Sequence, residues 1–190
     1  MSIINIWEKY SKEGILGSGT YTLVYKAKNI ETGNYVAIKE INKQKYDTNI
    51  LKEKIKKMKI NSENSIMINE IIDSDKSIYL IMDFCLFNLE EYINMRKEHL
   101  SIDEIRKILL DLNKSLKIMK EKKIIHGNIK LSNILISLNQ FNQLSFNLCI
   151  YDSIQFINLF DSKSITNQNP NLSKSPENLK GEYISNKSDI

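Results

Sequence analysis

Cysteine, proline and histidine are scarce in this sequence of 190 residues, and the scarcity excludes several classes of protein. The two cysteines, Cys85 and Cys149, are far apart and form no CxxC pair, so a disulfide framework is not expected. The two histidines do not complete a metal-ligand cluster with them. Unpaired cysteines are typical of a reducing compartment, and we expect a cytoplasmic protein.

Long apolar runs and a strong net charge are also missing. The first residues, MSIINIWEKYSKEG, contain too few apolar positions for the core of a signal peptide, and no run approaches the length of a membrane span. The net charge is only +4, and no Lys/Arg block is interleaved with aromatic residues. We therefore expect neither a membrane nor a nucleic acid as a partner. The hydrophobic content of 42% is sufficient for a packed core.

The first third of the chain has the pattern of a β-sheet with one helix. GILGSGTYTLVYKAKN and NYVAIKEI are β-rich runs joined by IETGN, in which Gly33-Asn34 has turn chemistry. In NILKEKIKKMKI, the residues Leu51, Ile55 and Met58 recur at helical spacing. Two more strand-like runs follow, SIMINEII and SIYLIMDF.

After Phe84 the pattern is mainly helical. Ser101 and Glu104 have capping-box spacing at the start of SIDEIRKILLDLNKSLKIMKEK. The apolar residues that recur along this segment at helical intervals are expected to form core: Ile105, Leu109, Leu112, Leu116 and Met119. NILIS and FNLCIYD predict a hairpin around LNQFNQ, and the tail from Asp161 to Asn186 predicts a long surface loop.

Two glycines and a lysine indicate a phosphate site near the N-terminus. Gly17 and Gly19 allow the backbone to approach a phosphate closely, because no Cβ intervenes. A lone G-x-G also fits an ordinary hairpin turn. VAIK strengthens the phosphate interpretation, since Lys39 at the end of a buried strand offers a point charge to phosphate oxygens. Val24 and Ala37 would offer apolar surface to a planar base.

The stretch IIHGNIKLSNILI has the form of a catalytic loop, with Asn128 where a proton acceptor is expected. In chain order, GSGTYTLV, VAIK, HGNIKLSN, DSI and SPE resemble the motif set of the eukaryotic protein kinase family. The resemblance extends from Glu13 to Ile190. It implies an α+β, bilobal protein-kinase-like fold. Residues 1–84 would form an N-lobe with a five-stranded antiparallel sheet and one helix, and residues 85–190 a mostly helical, truncated C-lobe.

The resemblance also implies that ATP and Mg²⁺ are the cofactors. Lys39 would contact the α- and β-phosphates, and Asn133 and Asp152 would hold magnesium. Lys130 would accompany the transferred phosphate, as in Ser/Thr-type members. The remaining nucleotide contacts would come from the glycine loop, the apolar residues around adenine, the gatekeeper and the hinge: Gly17, Gly19, Val24, Ala37, Leu135, Met82, Asp83 and Cys85.

The departures from the family pattern cluster at the catalytic groups. Asn128 replaces the aspartate that accepts the proton of the substrate hydroxyl, and an amide takes up no proton at neutral pH. Gly127 replaces the arginine that pairs with a phosphorylated activation loop. Ser153 and Ile154 replace the Phe and Gly of D-F-G. Two changes are milder: Thr22 replaces the third glycine of the loop, and Ser175 replaces the Ala of A-P-E. His126 is structural in the family and receives no catalytic role.

The glutamate that pairs with the phosphate lysine in the family is also in question. A gapless alignment puts Lys54 in its place, and Glu53 precedes it by about 100° around the helix. With Lys54 there, two cations would face each other. A buried lysine that loses its carboxylate costs roughly 3–5 kcal/mol, unless a phosphate or a shifted Glu53 supplies the charge.

The end of the sequence, KSDI, matches the beginning of the apolar helix at the centre of the family's C-lobe, with Asp189 as its opening aspartate. The resemblance thus implies a natural truncation or a partial gene model, and an apolar helix face over Ile105–Met119 without its main packing partner.

Several functions remain open. One is a pseudokinase that binds nucleotide and acts by binding another protein. Others are an active or weakly active Ser/Thr kinase, favoured by Lys130 and the metal ligands, and a non-functional fragment. A phosphate-binding protein outside the family would require the ordered motifs to be coincidental.

Overall fold

The computed structural model describes residues 5–18, 22–45, 48–58 and 64–152. They form two compact units. The first contains five strands and one α-helix, and the second contains two α-helices and three strands, together with a short segment around Ser65. The predicted division of the chain between residues 84 and 85 remains a prediction about domain limits.

The first unit is an antiparallel sheet with one helix, as the resemblance implied. Its strands are β1 (Tyr10–Ser18), β2 (Thr22–Asn29), β3 (Tyr35–Asn42), β4 (Ile68–Asp73) and β5 (Ser77–Asp83), in the order β1-β2-β3-β5-β4. Helix α1 (Thr48–Met58) follows β3 after a 3-10 turn at Lys43–Lys45. The predicted turn between β2 and β3 is confirmed, and Gly33 has a φ of 73°, which glycine adopts without a steric penalty.

One face of this sheet carries a hydrophobic core. Each of the five strands contributes buried residues to this core. Ile6, in a 3-10 turn at Ile6–Glu8 before β1, also belongs to it. Trp7 packs against this cluster, and its ring meets those of Tyr25 and Tyr79 edge-on at 5.4 and 6.2 Å. The chain segment before β1 therefore covers the face of the sheet on which Tyr25 and Tyr79 lie.

The second unit contains the helices α2 (Leu89–Met95) and α3 (Ile102–Glu121) and a small sheet. The sheet has the order β6-β7-β8, with β6 (Phe87–Asn88), β7 (Ile134–Leu138) and β8 (Leu144–Leu148) antiparallel to their neighbours. The predicted hairpin is therefore confirmed as β7–β8. The predicted surface loop from Asp161 to Asn186 lies outside the described residues.

Capping boxes begin both helices of the second unit. In α3, the Ser101 Oγ accepts a hydrogen bond from the Glu104 N–H and the Glu104 carboxylate accepts one from the Ser101 N–H, as their spacing predicted. In α2, Asn88 and Glu91 make the same reciprocal pair.

The prediction that the apolar stripe of α3 is core is wrong in the N-terminal half of the helix, whose exposure agrees with the other expectation, an apolar face without its main packing partner. Ile105 and Leu109 are 44% and 62% exposed, whereas Met119 is buried. The buried line of the helix consists of Ile108, Asp111, Ser115 and Met119. It includes polar residues because Ser115 Oγ donates to the Asn64 carbonyl and the Asp111 carboxylate accepts the Phe146 N–H at 3.2 Å. The side of α3 that faces β8 is therefore partly polar.

Candidate functional site

The strand register of the first unit gathers most of the predicted nucleotide contacts on one face of the sheet. Val24 in β2 pairs with Gly17 in β1 and with Lys39 in β3, and Ala37 pairs with Met82 in β5. Directly paired residues of antiparallel strands point to the same side, as do residues two apart. All five positions therefore share the face opposite the hydrophobic core of Tyr25 and Tyr79.

Lys39 is buried on this face, with 5% of its surface exposed. The neighbouring Glu40 points to the other face. Its carboxylate accepts hydrogen bonds from the Tyr25 hydroxyl at 3.0 Å, the Ser77 hydroxyl at 2.8 Å and the Tyr79 hydroxyl at 3.1 Å. The side chains of the adjacent residues Lys39 and Glu40 therefore lie on opposite faces of the sheet.

The hydroxyls around Glu40 have altered acidity. Burial, and then the hydrogen bond to Glu40, raise the pKa of Tyr25 to about 12. Burial and the Glu40 charge also raise the pKa of Tyr79. Both phenols therefore remain neutral donors at physiological pH, which keeps the Glu40 carboxylate satisfied within the core face.

Space for a ligand exists beside Gly17, one of the two glycines of β1. A Cβ built on Gly17 would meet no atom within 4 Å. Packing within the protein therefore does not require glycine here, whereas close approach of a phosphate would make use of it. Gly19, the other predicted glycine contact, lies outside the described residues.

The predicted gatekeeper and hinge lie at the end of β5. Met82 is buried, and Asp83 is exposed and accepts a hydrogen bond from the Asn69 side chain at 2.8 Å. Cys85 is half-buried, and burial followed by the Asp83 charge raises the pKa of its thiol to about 12. A neutral thiol is compatible with the predicted contact to an adenine edge, which would use backbone atoms.

The predicted catalytic loop of the second unit is held by main-chain atoms around a buried histidine. His126 Nδ1 accepts a hydrogen bond from the Asn128 N–H at 3.2 Å, and Nε2 lies 3.1 Å from the Cys149 carbonyl. This pair of partners requires the neutral tautomer with its hydrogen on Nε2. His126 is fully buried, which agrees with the structural role expected for it.

Asn133 stabilises the conformation of the same loop through hydrogen bonds. It is 5% exposed, and its Nδ2 donates to the Asn128 carbonyl at 2.7 Å. Its own N–H donates to the Lys130 carbonyl and its carbonyl accepts the Cys149 N–H, both at 2.9 Å. With the amide nitrogen used in this way, the amide presents its oxygen as the atom suited to a hard cation such as Mg²⁺.

The other predicted residues of this unit lie close by along the chain. Lys130 and Asn128 are half-buried, and the half-buried Leu135 of β7 pairs with Asn88 and Asn147. Gly127 has a φ of 64°, in the left-handed region, where a side chain costs about 1–2 kcal/mol. The residue that replaces the family arginine is therefore the one that adopts this backbone conformation most readily.

Several predicted positions fall partly or wholly outside the described residues. Asp152 ends a 3-10 turn that begins at Ile150, but its side chain lies outside them. The same holds for the side chain of Lys54, whereas Glu53 on α1 is exposed. The remaining positions outside them are Ser153, Ile154, Ser175 and Asp189.

Sequence reasoning missed two parts of this arrangement. Cys149 contributes only main-chain atoms, to His126 and to Asn133, and no side-chain pattern signals such a role. The hydroxyl cluster around Glu40 includes residues up to 39 positions from Glu40 in the chain. The alternation along β2 and β5 could have indicated that Tyr25 and Tyr79 face away from Lys39.

None of the helices in the described ranges combines the length and apolar character that crossing a membrane requires.

Comparison with known proteins identifies the family. The model of the family described as "Protein kinase domain" matches residues 10–190. Serine/threonine-protein kinase 33 of Mus musculus is 28% identical over 154 residues, which cover 77% of this chain and 31% of that protein. Cell division control protein 2 homolog 3 of Trypanosoma brucei brucei is 27% identical over 135 residues, covering 69% of this chain and 43% of that protein.

A third relative is cyclin-dependent kinase-like 1 of Caenorhabditis elegans, 27% identical over 136 residues that cover 70% of this chain and 38% of that protein. The chain thus spans between 31% and 43% of the length of these curated relatives. Because the family model covers nearly the whole sequence and the five-stranded sheet has the expected topology, the chain belongs to the protein kinase family.

Proposed function

We propose that this chain is a pseudokinase, which binds Mg-ATP, transfers little or no phosphate, and acts in the cytoplasm by binding another protein. Three residues would hold the cofactor: Lys39 the phosphates, and Asn133 with Asp152 the magnesium ion. Bound Mg-ATP supplies a transferable phosphoryl group with its charge partly neutralised.

The residues that the structure describes fit this cofactor. Lys39 is a buried cation on the same sheet face as Val24 and Ala37, whose apolar side chains suit a planar base. The space above Gly17 is open, and the Lys39 ammonium offers a positive charge to phosphate oxygens. In the second unit, the Asn133 amide is held by the Asn128 carbonyl with its nitrogen, which favours the oxygen as a metal ligand.

The observation that carries the proposal is the placement of Asn128. Its main-chain N–H and carbonyl bind His126 and Asn133, so the loop has a defined conformation although the family aspartate is absent. The side chain at this position is an amide, which cannot accept the proton of a substrate hydroxyl at neutral pH. The loop therefore has a defined conformation, but the side chain at the position of the base cannot act as one.

Nucleotide binding is tested by thermal unfolding of the full chain with and without Mg-ATP. A ligand at 100 times its Kd stabilises the folded state by about 2.7 kcal/mol. For a protein of this size we expect Tm to rise by roughly 5–10 °C. Lys39→Met should abolish the rise, whereas Lys56→Met, the same change at an exposed lysine of α1, should preserve it. If Tm of the unmodified chain does not respond to Mg-ATP, nucleotide binding is refuted.

An active or weakly active Ser/Thr kinase is the second candidate. It is favoured by the hydrogen bond between the Lys130 carbonyl and the Asn133 N–H, which keeps the two retained residues of the loop in a fixed relation. Losing the base alone lowers the rate about 10²–10⁴-fold without abolishing transfer. Transfer of labelled phosphate to a protein that disappears in Lys39→Met would make this candidate the better one.

A further inference from the structure

A polar network in the first unit connects α1 with the strand that carries Lys39. Its centre is Asp73 at the end of β4, whose carboxylate forms ion pairs with Lys43 and Lys52. Lys43 directly follows β3, four residues after Lys39, and Lys52 is on α1. One carboxylate thus binds a cation on each side of the β3–α1 connection.

The network continues through the β4–β5 turn. The Lys43 ammonium also donates to the Ser74 carbonyl, and the Lys43 N–H donates to the Lys76 carbonyl at 2.9 Å. Ser74 and Ser77 exchange hydrogen bonds of 3.0 and 3.2 Å. The Ser77 hydroxyl then donates to Glu40, the residue next to Lys39. Polar contacts therefore run without interruption from α1 to the neighbour of the phosphate lysine.

The network is well buried at Lys43 and more exposed at Asp73 and Lys52. The Lys43 side chain is 17% exposed, whereas those of Asp73 and Lys52 are 36% and 37% exposed. Lys52 directly follows Leu51, which α1 buries together with Ile55. Burial by itself would raise the pKa of Asp73, but the hydrogen bonds from Lys43 and Lys52 hold it below its ordinary value. The carboxylate is therefore ionised at neutral pH and bound on both sides.

We propose that Asp73 is a positioning residue for the nucleotide site: by binding Lys43 and Lys52 together, it fixes α1 and the end of β3, and thereby holds Lys39 in place for a phosphate. This inference rests on the proposed function for its nucleotide part. Without Asp73, the two ammonium groups lose the carboxylate they share, so α1 is held less firmly against the end of β3, which stays paired with β5. Movement of α1 relative to β3 is then a freedom that nucleotide binding must remove.

The test compares Asp73→Asn with Asp75→Asn in the full chain. Asp75 is exposed in the same turn, and the substitution removes the same charge. Mg-ATP affinity is measured by calorimetry at a temperature where all variants are fully folded, so a loss of global stability alone does not change the result. We expect Asp73→Asn to weaken binding about 2- to 30-fold, Asp75→Asn to leave it unchanged, and Asp73→Glu to recover most of it.

Hydrogen exchange without nucleotide supplies an independent measurement. The amides of α1 should exchange faster in Asp73→Asn than in Asp75→Asn, while those of α3 in the second unit serve as an internal reference. Equal Mg-ATP affinity for Asp73→Asn and the unmodified chain overturns the inference and leaves the proposed function intact. Equal weakening by Asp73→Asn and Asp75→Asn also overturns it, because the cause is then general charge. An unmodified chain that binds no Mg-ATP refutes the proposed function, and this inference with it.

Discussion

The substitution Asn128→Asp places a carboxylate in the predicted catalytic loop. It is the most direct test of the proposal that phosphate transfer is impaired. In Asn128→Asp, the main-chain contacts of the loop remain possible, because they involve the N–H to His126 at 3.2 Å and the carbonyl that accepts from Asn133 at 2.7 Å. The substitution exchanges an NH₂ group for an oxygen of similar size. We therefore expect a change of less than about 1 kcal/mol in the free energy of unfolding.

The expected gain in activity follows from the role of a general base. Such a base contributes about 10²–10⁴-fold, which corresponds to about 2.7–5.5 kcal/mol of the activation barrier. Because Gly127, Ser153 and Ile154 still depart from the family pattern, positioning remains incomplete. We expect the lower end of the range, a gain of about 100-fold.

The assay is transfer of labelled phosphate from Mg-ATP to the chain itself and to a generic protein substrate. Asn128→Asp is compared with the unmodified chain, with the double variant that also carries Lys39→Met, and with Asn113→Asp, the same change at an exposed position of α3. Only the first should gain activity. If Asn128→Asp binds Mg-ATP as well as the unmodified chain and transfers no more phosphate, a missing base is not what limits the reaction.

Three further predictions concern the core, the loop and the hinge. Asn133→Ala should cost about 1–3 kcal/mol of unfolding free energy in urea titrations, because it leaves the Asn128 carbonyl without its donor; an unchanged midpoint and slope would show that this hydrogen bond does not stabilise the loop. Ile6→Ala should cost about 2–5 kcal/mol, since Ile6 is only 2% exposed in the core cluster; a loss well below 1 kcal/mol would mean that the segment before β1 does not stabilise the sheet. In a variant without the other cysteine, Cys85 should react with iodoacetamide about 1000-fold more slowly at pH 8 than a thiol with a pKa of 9, and the rate should rise tenfold per pH unit towards its pKa of about 12; a rate that levels off near pH 9 would contradict the effect of burial.

Local patterns in the sequence predicted the longer elements correctly. The β-rich runs NYVAIKEI and SIYLIMDF predicted β3 and β5, and the Ser101–Glu104 spacing predicted the start of α3. The two-residue β6 and the seven-residue α2 were missed, because periodicity cannot be recognised over so few residues. The capping box of Asn88 and Glu91 is the signal that could have revealed α2.

Periodicity was less informative about which side of a helix is buried. Along α3 the apolar spacing predicted Ile105 and Leu109 as core, yet the buried line includes Asp111 and Ser115. An aspartate and a serine are disfavoured in a core on transfer energies alone. Asp111 is bound by Lys107 and Lys114 of the same helix and by the Phe146 N–H, and Ser115 by the Asn64 carbonyl. Phe146 and Asn64 are distant in the chain, so local periodicity does not reveal these partners.

The sequence by itself determined the chemical identities at the candidate site: a lysine on β3, an asparagine where the family has its base, and an asparagine five residues later. These follow from motif order and need no coordinates. Only the tertiary structure decided that Lys39 and Glu40 serve opposite faces of the sheet, that Asn133 orients its amide on the Asn128 carbonyl, and that Asp73 joins α1 to the end of β3. The physical reason is that burial, strand register and hydrogen-bond partners depend on residues far apart in the chain, which local propensity does not encode.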